Sequence, residues 1–100
     1  MDEQRAVAAF VEEHDLAADP AYRILDLSSE VGEIAKDAAA STEYGDRPGE
    51  LSVASDELGD ALFALLALAD ALDVDAGEAL DEALAKYERR LDDRGDAGSS

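Results

Sequence analysis

The chain has 100 residues and a formal net charge of −18, because it carries 26 acidic residues and only 8 basic ones. This length predicts one domain, residues 1–94, and so negative a surface argues against duplex nucleic acid and anionic membranes as partners. The chain has no cysteine, which excludes disulfides and thiolate metal sites within it. We find no signal-peptide pattern and no apolar run near the roughly 20 residues of a membrane span, so we expect a cytoplasmic protein.

The acidic residues are spread along the chain, while 47% of all residues are hydrophobic. A disordered acidic protein lacks apolar residues, so this composition predicts a folded domain. It also favours a halophilic protein, since at 1 M salt the Debye length is only about 3 Å and repulsion between carboxylates is screened. Most carboxylates of such a chain lie in solvent, so a functional assignment needs both spacing and apolar context.

Apolar periodicity predicts an all-α fold with no strand. The predicted helices, in chain order, cover residues 2–14, 20–44, 51–72 and 76–94. Asp19 and Pro20 are typical of a helix start, and Asp75 with Glu78 forms a capping-box-like start for the fourth helix. Residues 61–69 are apolar on nearly every side, which predicts a central, buried third helix. The tail, residues 95–100, is predicted to be disordered.

Two tetrapeptides, residues 30–33 and 57–60, repeat one pattern of two acids that enclose an apolar residue and a glycine. On a helix the two acids share a face. In an antiparallel hairpin of the second and third helices, the two pairs lie within about one turn of the same height. The matched glycines lie on the opposite face, which predicts close helix approach behind the acids.

Four carboxylates at one point repel each other unless a cation offsets them. No basic residue is near Glu57 or Asp60 in the sequence, and ligation by oxygen alone favours Mg²⁺ or Mn²⁺ over zinc. We therefore predict a divalent metal site made by Glu30, Glu33, Glu57 and Asp60. The alternative is two surface patches of a salt-adapted chain that match by chance.

Residues 27–37 and 56–69 resemble the MazG-like nucleotide pyrophosphohydrolases, which belong to the all-α NTP pyrophosphatase superfamily with the dimeric dUTPases and dCTP pyrophosphatases. The two segments read Leu-Ser-Ser-Glu-Val-Gly-Glu-Ile-Ala-Lys-Asp and Asp-Glu-Leu-Gly-Asp-Ala-Leu-Phe-Ala-Leu-Leu-Ala-Leu-Ala. The resemblance extends over residues 20–91. The paired motif is specific, whereas either half alone is a weak signal.

This resemblance implies a four-helix protomer that assembles into a dimeric or tetrameric helical bundle. It implies that Glu30, Glu33, Glu57 and Asp60 are the catalytic residues and hold Mg²⁺, with Mn²⁺ as a substitute. It further implies Mg²⁺-dependent hydrolysis of a nucleoside triphosphate (NTP or dNTP) to the monophosphate and pyrophosphate, as part of nucleotide-pool house-cleaning.

The fourth helix carries half of the positive charge of the chain in nine residues, at Lys86, Arg89, Arg90 and Arg94. Lys86 and Arg90 match a Lys-x-x-Lys-Asn-x-x-Arg-like stretch with which the family contacts phosphate, and Arg89 is a further candidate for substrate binding. For Arg94, stabilisation of the helix C-terminus is the alternative role.

The chain departs from the family pattern at three positions. Ser29 stands where many members have a glutamate directly before the first ligand, and Ala83 and Tyr87 stand where lysine and asparagine are common. These departures keep one alternative open, a module that binds metal and nucleotide without turnover. A second alternative is a structural helical oligomer of a halophile, in which the acids serve only salt tolerance. The base and sugar preference, the oligomer size and the number of metal ions stay open as well.

Overall fold

The computed structural model describes residues 1–94, so the predicted disordered tail lies outside the described residues. The helices are α1 (Asp2–Glu13), α2 (Pro20–Ser41), a short 3-10 helix (Pro48–Glu50), α3 (Ser55–Ala71) and α4 (Ala76–Arg94). No strand occurs in this range, which confirms the all-α prediction. None of the described helices is long and apolar enough to cross a bilayer.

Helix α2 ends at Ser41, three residues before the predicted boundary. The Thr42 hydroxyl donates to the carbonyl of Ala38 (2.6 Å) and accepts the backbone N–H of Gly45 (3.1 Å), which closes the last turn. Tyr44 then has a φ of 58° and Gly45 a φ of 95°. This left-handed backbone cannot continue a right-handed helix, so the chain turns here.

Helix α3 begins at Ser55, four residues after the predicted start. The preceding segment is extended: Ala54 has a ψ of 141°. The backbone N–H of Ser52 donates to the Ser41 hydroxyl (2.9 Å), which ties this segment to the end of α2. As a result Glu57 lies in the first turn of α3, where the helix dipole favours a negative charge.

Helices α2 and α3 form the predicted antiparallel hairpin, and α1 packs on α3. The Phe10 ring meets the Phe63 ring edge-on, with 5.9 Å between centroids. The buried apolar residues are Val11, Ala64, Leu66 and Ala67. The core of a single chain is therefore a thin layer along one side of α3.

Helix α4 is attached to the rest of the chain at its first turn. Asp75 accepts the backbone N–H of Glu78 (3.0 Å), as the capping prediction requires. The Gln4 amide donates to the Val74 carbonyl and accepts the N–H of Ala76, both at 2.7 Å. Among the described helices, extensive packing joins α2 with α3 and α1 with α3, but does not include α4.

Much apolar surface of α3 and α4 is open to solvent in a single chain. Leu62 and Leu65 are 49% and 46% exposed, so the predicted burial of α3 on all sides is wrong for the isolated chain. An apolar groove of about 380 Å³ lies at the α3–α4 corner. On α4, Leu80, Leu84 and Leu91 are each about half exposed. A second copy of the chain could cover this apolar surface, and assembly into an oligomer stays a prediction.

Candidate metal centre

Glu57, in the first turn of α3, faces Asp37 of α2. A side-chain hydrogen bond with Asp37 is the main reason why the pKa of Glu57 rises from 4.5 to about 7. Partial burial and the negative charges of Asp37, Asp56 and Glu33 raise the pKa further. The Oε2 atom of Glu57 is shielded from solvent and has no hydrogen-bond partner.

Glu30 and Asp60, which is about one turn after Glu57 on α3, both line an open cavity of about 320 Å³. Asp26, Phe63, Ala64 and Arg23 complete its wall. Glu30 is partly buried and Asp60 is exposed. The antiparallel register thus pairs the first acid of one motif with the last acid of the other.

Of the four predicted acids, Glu30 and Asp60 line one cavity. Glu33 is exposed and acts on Glu57 only through its negative charge, which raises the pKa of Glu57. Within residues 1–94, no three histidine or acidic side chains already surround a common point as metal ligands do. Like charges held in low dielectric repel each other, so an open arrangement is expected for carboxylates without a counter-ion. The joint site of all four acids stays a prediction.

The donor set fits a hard divalent cation. Glu57 offers a shielded oxygen that no protein group satisfies, and a buried carboxylate oxygen without a partner is costly. Its neighbours Glu33 and Asp37 add further oxygen donors, which Mg²⁺ and Mn²⁺ prefer. Glu30 and Asp60 offer two more at the adjacent cavity.

Two residues of this region were missed as site candidates. Asp37 follows Asp26, Glu30 and Glu33 at spacings of 4, 3 and 4 residues, so these acids share one face of α2 and the sequence alone contains this signal. Arg23 places a cation in the same cavity as Asp60. No positive charge was expected near Asp60, because 37 residues separate it from Arg23 in the sequence. Only the hairpin register brings the two together.

The structure places the predicted substrate-binding residues on α4. Neither Lys86, Arg89 nor Arg90 lines the cavity of Glu30 and Asp60 in the described chain. The Lys86 ammonium lies 4.9 Å from the centre of the Tyr87 ring, and the Arg90 guanidinium lies 5.8 Å from it.

The glycines of the two motifs do not have the predicted role in a single chain. Apart from adjacent residues and the backbone of the glycine's own helix turn, no atom lies within 4 Å of the place that a Cβ would occupy at Gly32 or Gly59. The expectation of close helix approach behind the acids is therefore wrong for the isolated protomer. A single chain gives no packing reason for these two glycines.

Comparison with known proteins supports the family resemblance that the two acidic motifs indicate. Residues 20–95 match the MazG nucleotide pyrophosphohydrolase domain. Over 72 residues the chain is 35% identical to "Uncharacterized protein YpjD" of Bacillus subtilis (strain 168), a match that covers 68% of this chain and 63% of the relative. No solved structure matches the chain. Because the domain match extends over more than half of its length, the chain belongs to the MazG nucleotide pyrophosphohydrolase domain family.

Proposed function

We propose that this protein hydrolyses nucleoside triphosphates to the monophosphate and pyrophosphate with Mg²⁺, or Mn²⁺ in its place, bound by Glu30, Glu33, Glu57 and Asp60. Membership of the family supports the reaction class. The observation that carries the metal site is the shielded, unpartnered oxygen of Glu57 among further carboxylates at the α2–α3 interface. Removal of broken-down or unwanted nucleotides from the pool is the cellular role that fits this activity.

The acids of the hairpin would hold the cation between α2 and α3. A bound divalent ion supplies positive charge to the phosphate oxygens and acidifies water for attack on phosphorus. At neutral pH about half of the molecules carry a protonated Glu57 carboxyl, because its pKa is about 7. The protonated form would have to give up this proton to bind a cation, so the Glu57–Asp37 contact would make cation binding depend on pH.

The positive charge of α4 would act on the triphosphate in an oligomer. In a single chain the α4 cations do not line the cavity of Glu30 and Asp60, while the leucines on α4 are about half exposed. A dimer or tetramer that buries this leucine face could place Lys86, Arg89 and Arg90 of one copy beside the acids of another. We propose such an assembly for the active protein.

The activity is tested with a panel of nucleoside triphosphates in molar KCl with Mg²⁺, measuring pyrophosphate release. We expect at least one nucleotide to yield equal amounts of monophosphate and pyrophosphate. Glu57→Gln should lower kcat/KM by at least about 100-fold, because it removes a metal ligand. Glu13→Gln, the same exchange at an exposed position of α1, should leave the activity unchanged.

A calorimetric titration with Mn²⁺ separates this proposal from its alternatives. Saturable heat that Glu57→Gln abolishes, together with pyrophosphate release, supports the enzyme. Saturable heat without turnover of any nucleotide identifies a module that only binds metal and nucleotide. Absence of saturable heat in the folded wild-type protein contradicts the metal site and leaves a structural helical oligomer.

A further inference from the structure

Arg23 is the one buried cation among the side chains that the structure describes. It is 9% exposed, whereas Arg5, Lys36, Arg47 and Lys86 are exposed. Burying a guanidinium is costly unless anions and hydrogen-bond acceptors surround it. The chain has only 8 basic residues, and one of them is buried at the interface of α2 and α3. The groups that compensate its charge there have to be identified.

The protein partners of Arg23 satisfy only part of the guanidinium. Its Nη2 donates to the carbonyl of Leu16 in the segment between α1 and α2. Its Nη1 lies 3.7 Å from Oδ2 of Asp26, beyond hydrogen-bond distance, and the Asp26 side chain is 60% exposed. An ion pair that is so open to solvent is weak. Since a guanidinium has five N–H donors, further acceptors can bind to it.

Arg23 shares its cavity with two of the acids that we assign to the metal. Arg23 and Glu30 from α2 and Asp60 from α3 all line this cavity. Its carboxylates suit a cation, and its guanidinium suits an anion. A metal ion bound to a phosphate group combines a positive and a negative charge, so it matches both kinds of side chain. A guanidinium binds phosphate oxygens through two parallel N–H donors.

We propose that Arg23 is a substrate-binding residue that donates hydrogen bonds to a phosphate group of the nucleotide held at the Glu30–Asp60 cavity. This inference rests on the proposed function. Arg23 would then bind phosphate in the same chain as the acids, whereas the cations of α4 would come from a second copy. The simpler role, a tether between α2 and Leu16, predicts an effect on folding but none on phosphate binding.

The test measures binding of inorganic pyrophosphate in the presence of Mg²⁺ by calorimetry, and the urea midpoint of each variant without ligand. Arg23→Gln should weaken pyrophosphate binding about 10- to 100-fold, the range expected for lost hydrogen bonds to a charged group. Arg23→Lys keeps the charge but loses the planar pair of donors, so we expect an intermediate loss of about tenfold. Arg5→Gln, at an exposed arginine paired with Asp2, should change binding by less than about twofold.

Steady-state kinetics give a second readout. If Arg23 binds the substrate in the ground state as well as in the transition state, Arg23→Gln raises KM for the nucleotide far more than it lowers kcat. Arg23→Lys guards against a variant that does not fold, because its aliphatic stem fills the same space. The inference is overturned if folded Arg23→Gln or Arg23→Lys binds pyrophosphate as tightly as the wild type.

The result also distinguishes this inference from the proposed function. If the wild-type protein binds pyrophosphate through Arg23 but hydrolyses no nucleotide, the proposed enzymatic activity is contradicted and the proposed role of Arg23 is supported. Wild-type protein that hydrolyses nucleotides with no contribution from Arg23 contradicts Arg23 alone. If folded wild-type protein neither binds pyrophosphate nor turns over nucleotide, both fail.

Discussion

Across the α2–α3 interface, the carboxyl group of Asp37 lies beside that of Glu57 and stabilises its protonated form by a hydrogen bond. This contact raises the pKa of Glu57 to about 7, the value at which half of the molecules carry the proton in neutral solution. It links the hairpin register to the chemistry of the candidate site, because a residue of α2 sets the charge of a residue of α3.

The first prediction concerns stability without metal. The folded protein holds the Glu57 proton more tightly than the unfolded chain, whose carboxyl has an ordinary pKa of 4.5. The stabilisation from Glu57 is therefore complete below this value and is lost as the pH rises through about 7. Glu57→Gln resembles the protonated state, so it should be more stable than the wild type at alkaline pH. It should also lose less stability as the pH rises from acid to alkaline.

Urea unfolding with a chelator, at several pH values between acid and alkaline, measures this difference. Asp37→Asn is an informative companion, because its amide can donate to the Glu57 carboxylate and should lower the pKa of Glu57. Glu13→Gln serves as the exposed control. Parallel pH profiles for the wild type and Glu57→Gln would show that Asp37 does not stabilise the protonated form of Glu57.

The second prediction concerns assembly through the leucine face of α4. Leu84 is 53% exposed in a single chain, and burying a leucine side chain contributes about 1.5–3 kcal/mol. Leu84→Glu replaces this gain with a buried charge, so it should raise the dissociation constant of the oligomer by at least about tenfold. Light scattering after size-exclusion chromatography, over a range of protein concentrations, gives the oligomeric state.

Glu82→Gln is the control for Leu84→Glu, since Glu82 is also exposed on α4 but lies roughly on the opposite side of the helix. We expect this variant to assemble like the wild type. A wild-type protein that stays monomeric at every concentration, or a Leu84→Glu variant with unchanged mass, contradicts an interface at this face.

The third prediction tests whether α4 acts on the site of another copy. Glu57→Gln alone and the double variant Lys86→Ala/Arg90→Ala alone should each be nearly inactive. If the cations act across subunits, mixing and reassembling the two variants restores activity, up to roughly a quarter of the wild type for random dimers with one complete site in every mixed pair. The assay is pyrophosphate release before and after subunit exchange. No recovery despite proven exchange would place the cations in the same chain as the acids they serve.

The fourth prediction concerns salt. At a net charge of −18, self-repulsion destabilises the folded chain until counter-ions screen it. Between about 0.1 M and 1 M KCl the Debye length falls from roughly 10 Å to 3 Å, and we expect a gain of at least about 1 kcal/mol, or 4–8 °C in Tm. Neutralising the exposed acids Glu88, Asp92 and Asp93 should raise the Tm at low salt and flatten its salt dependence. Equal slopes for this variant and the wild type would argue against charge screening.

The helices could be predicted from apolar periodicity, but two of their ends could not. The end of α2 depends on left-handed backbone at Glu43 and Tyr44, residue types that rarely adopt it and therefore give no signal in the sequence. The start of α3 depends on a hydrogen bond from Ser52 to the hydroxyl of Ser41. Such a contact between two segments appears only when the hairpin has closed.

The acid spacing located the candidate site, but it could not rank the acids. The pattern treats Glu57 and Asp60 alike, whereas the structure shields Glu57 and exposes Asp60. It also could not foresee that Asp37 meets Glu57 or that Arg23 enters the cavity of Asp60. These contacts depend on the rotation and register of α2 relative to α3. Small shifts between the two packed helices change them, so the residue pattern alone does not determine them.

The burial prediction failed for a related reason. The apolar run at residues 61–69 indicates that most sides of α3 must be covered. It does not indicate which chain covers them. Leu62 and Leu65 remain about half exposed in one protomer, which is the strongest sign from the fold that a single copy is incomplete.

We propose that one divalent cation site joins the acids of both motifs. Anomalous diffraction at the manganese edge, from crystals soaked in MnCl₂, tests it most directly. We expect an anomalous peak between α2 and α3, within ligand distance of Glu30, Glu33, Glu57 and Asp60. A well-ordered hairpin whose four carboxylates point apart into solvent, with no anomalous peak between them, would contradict it.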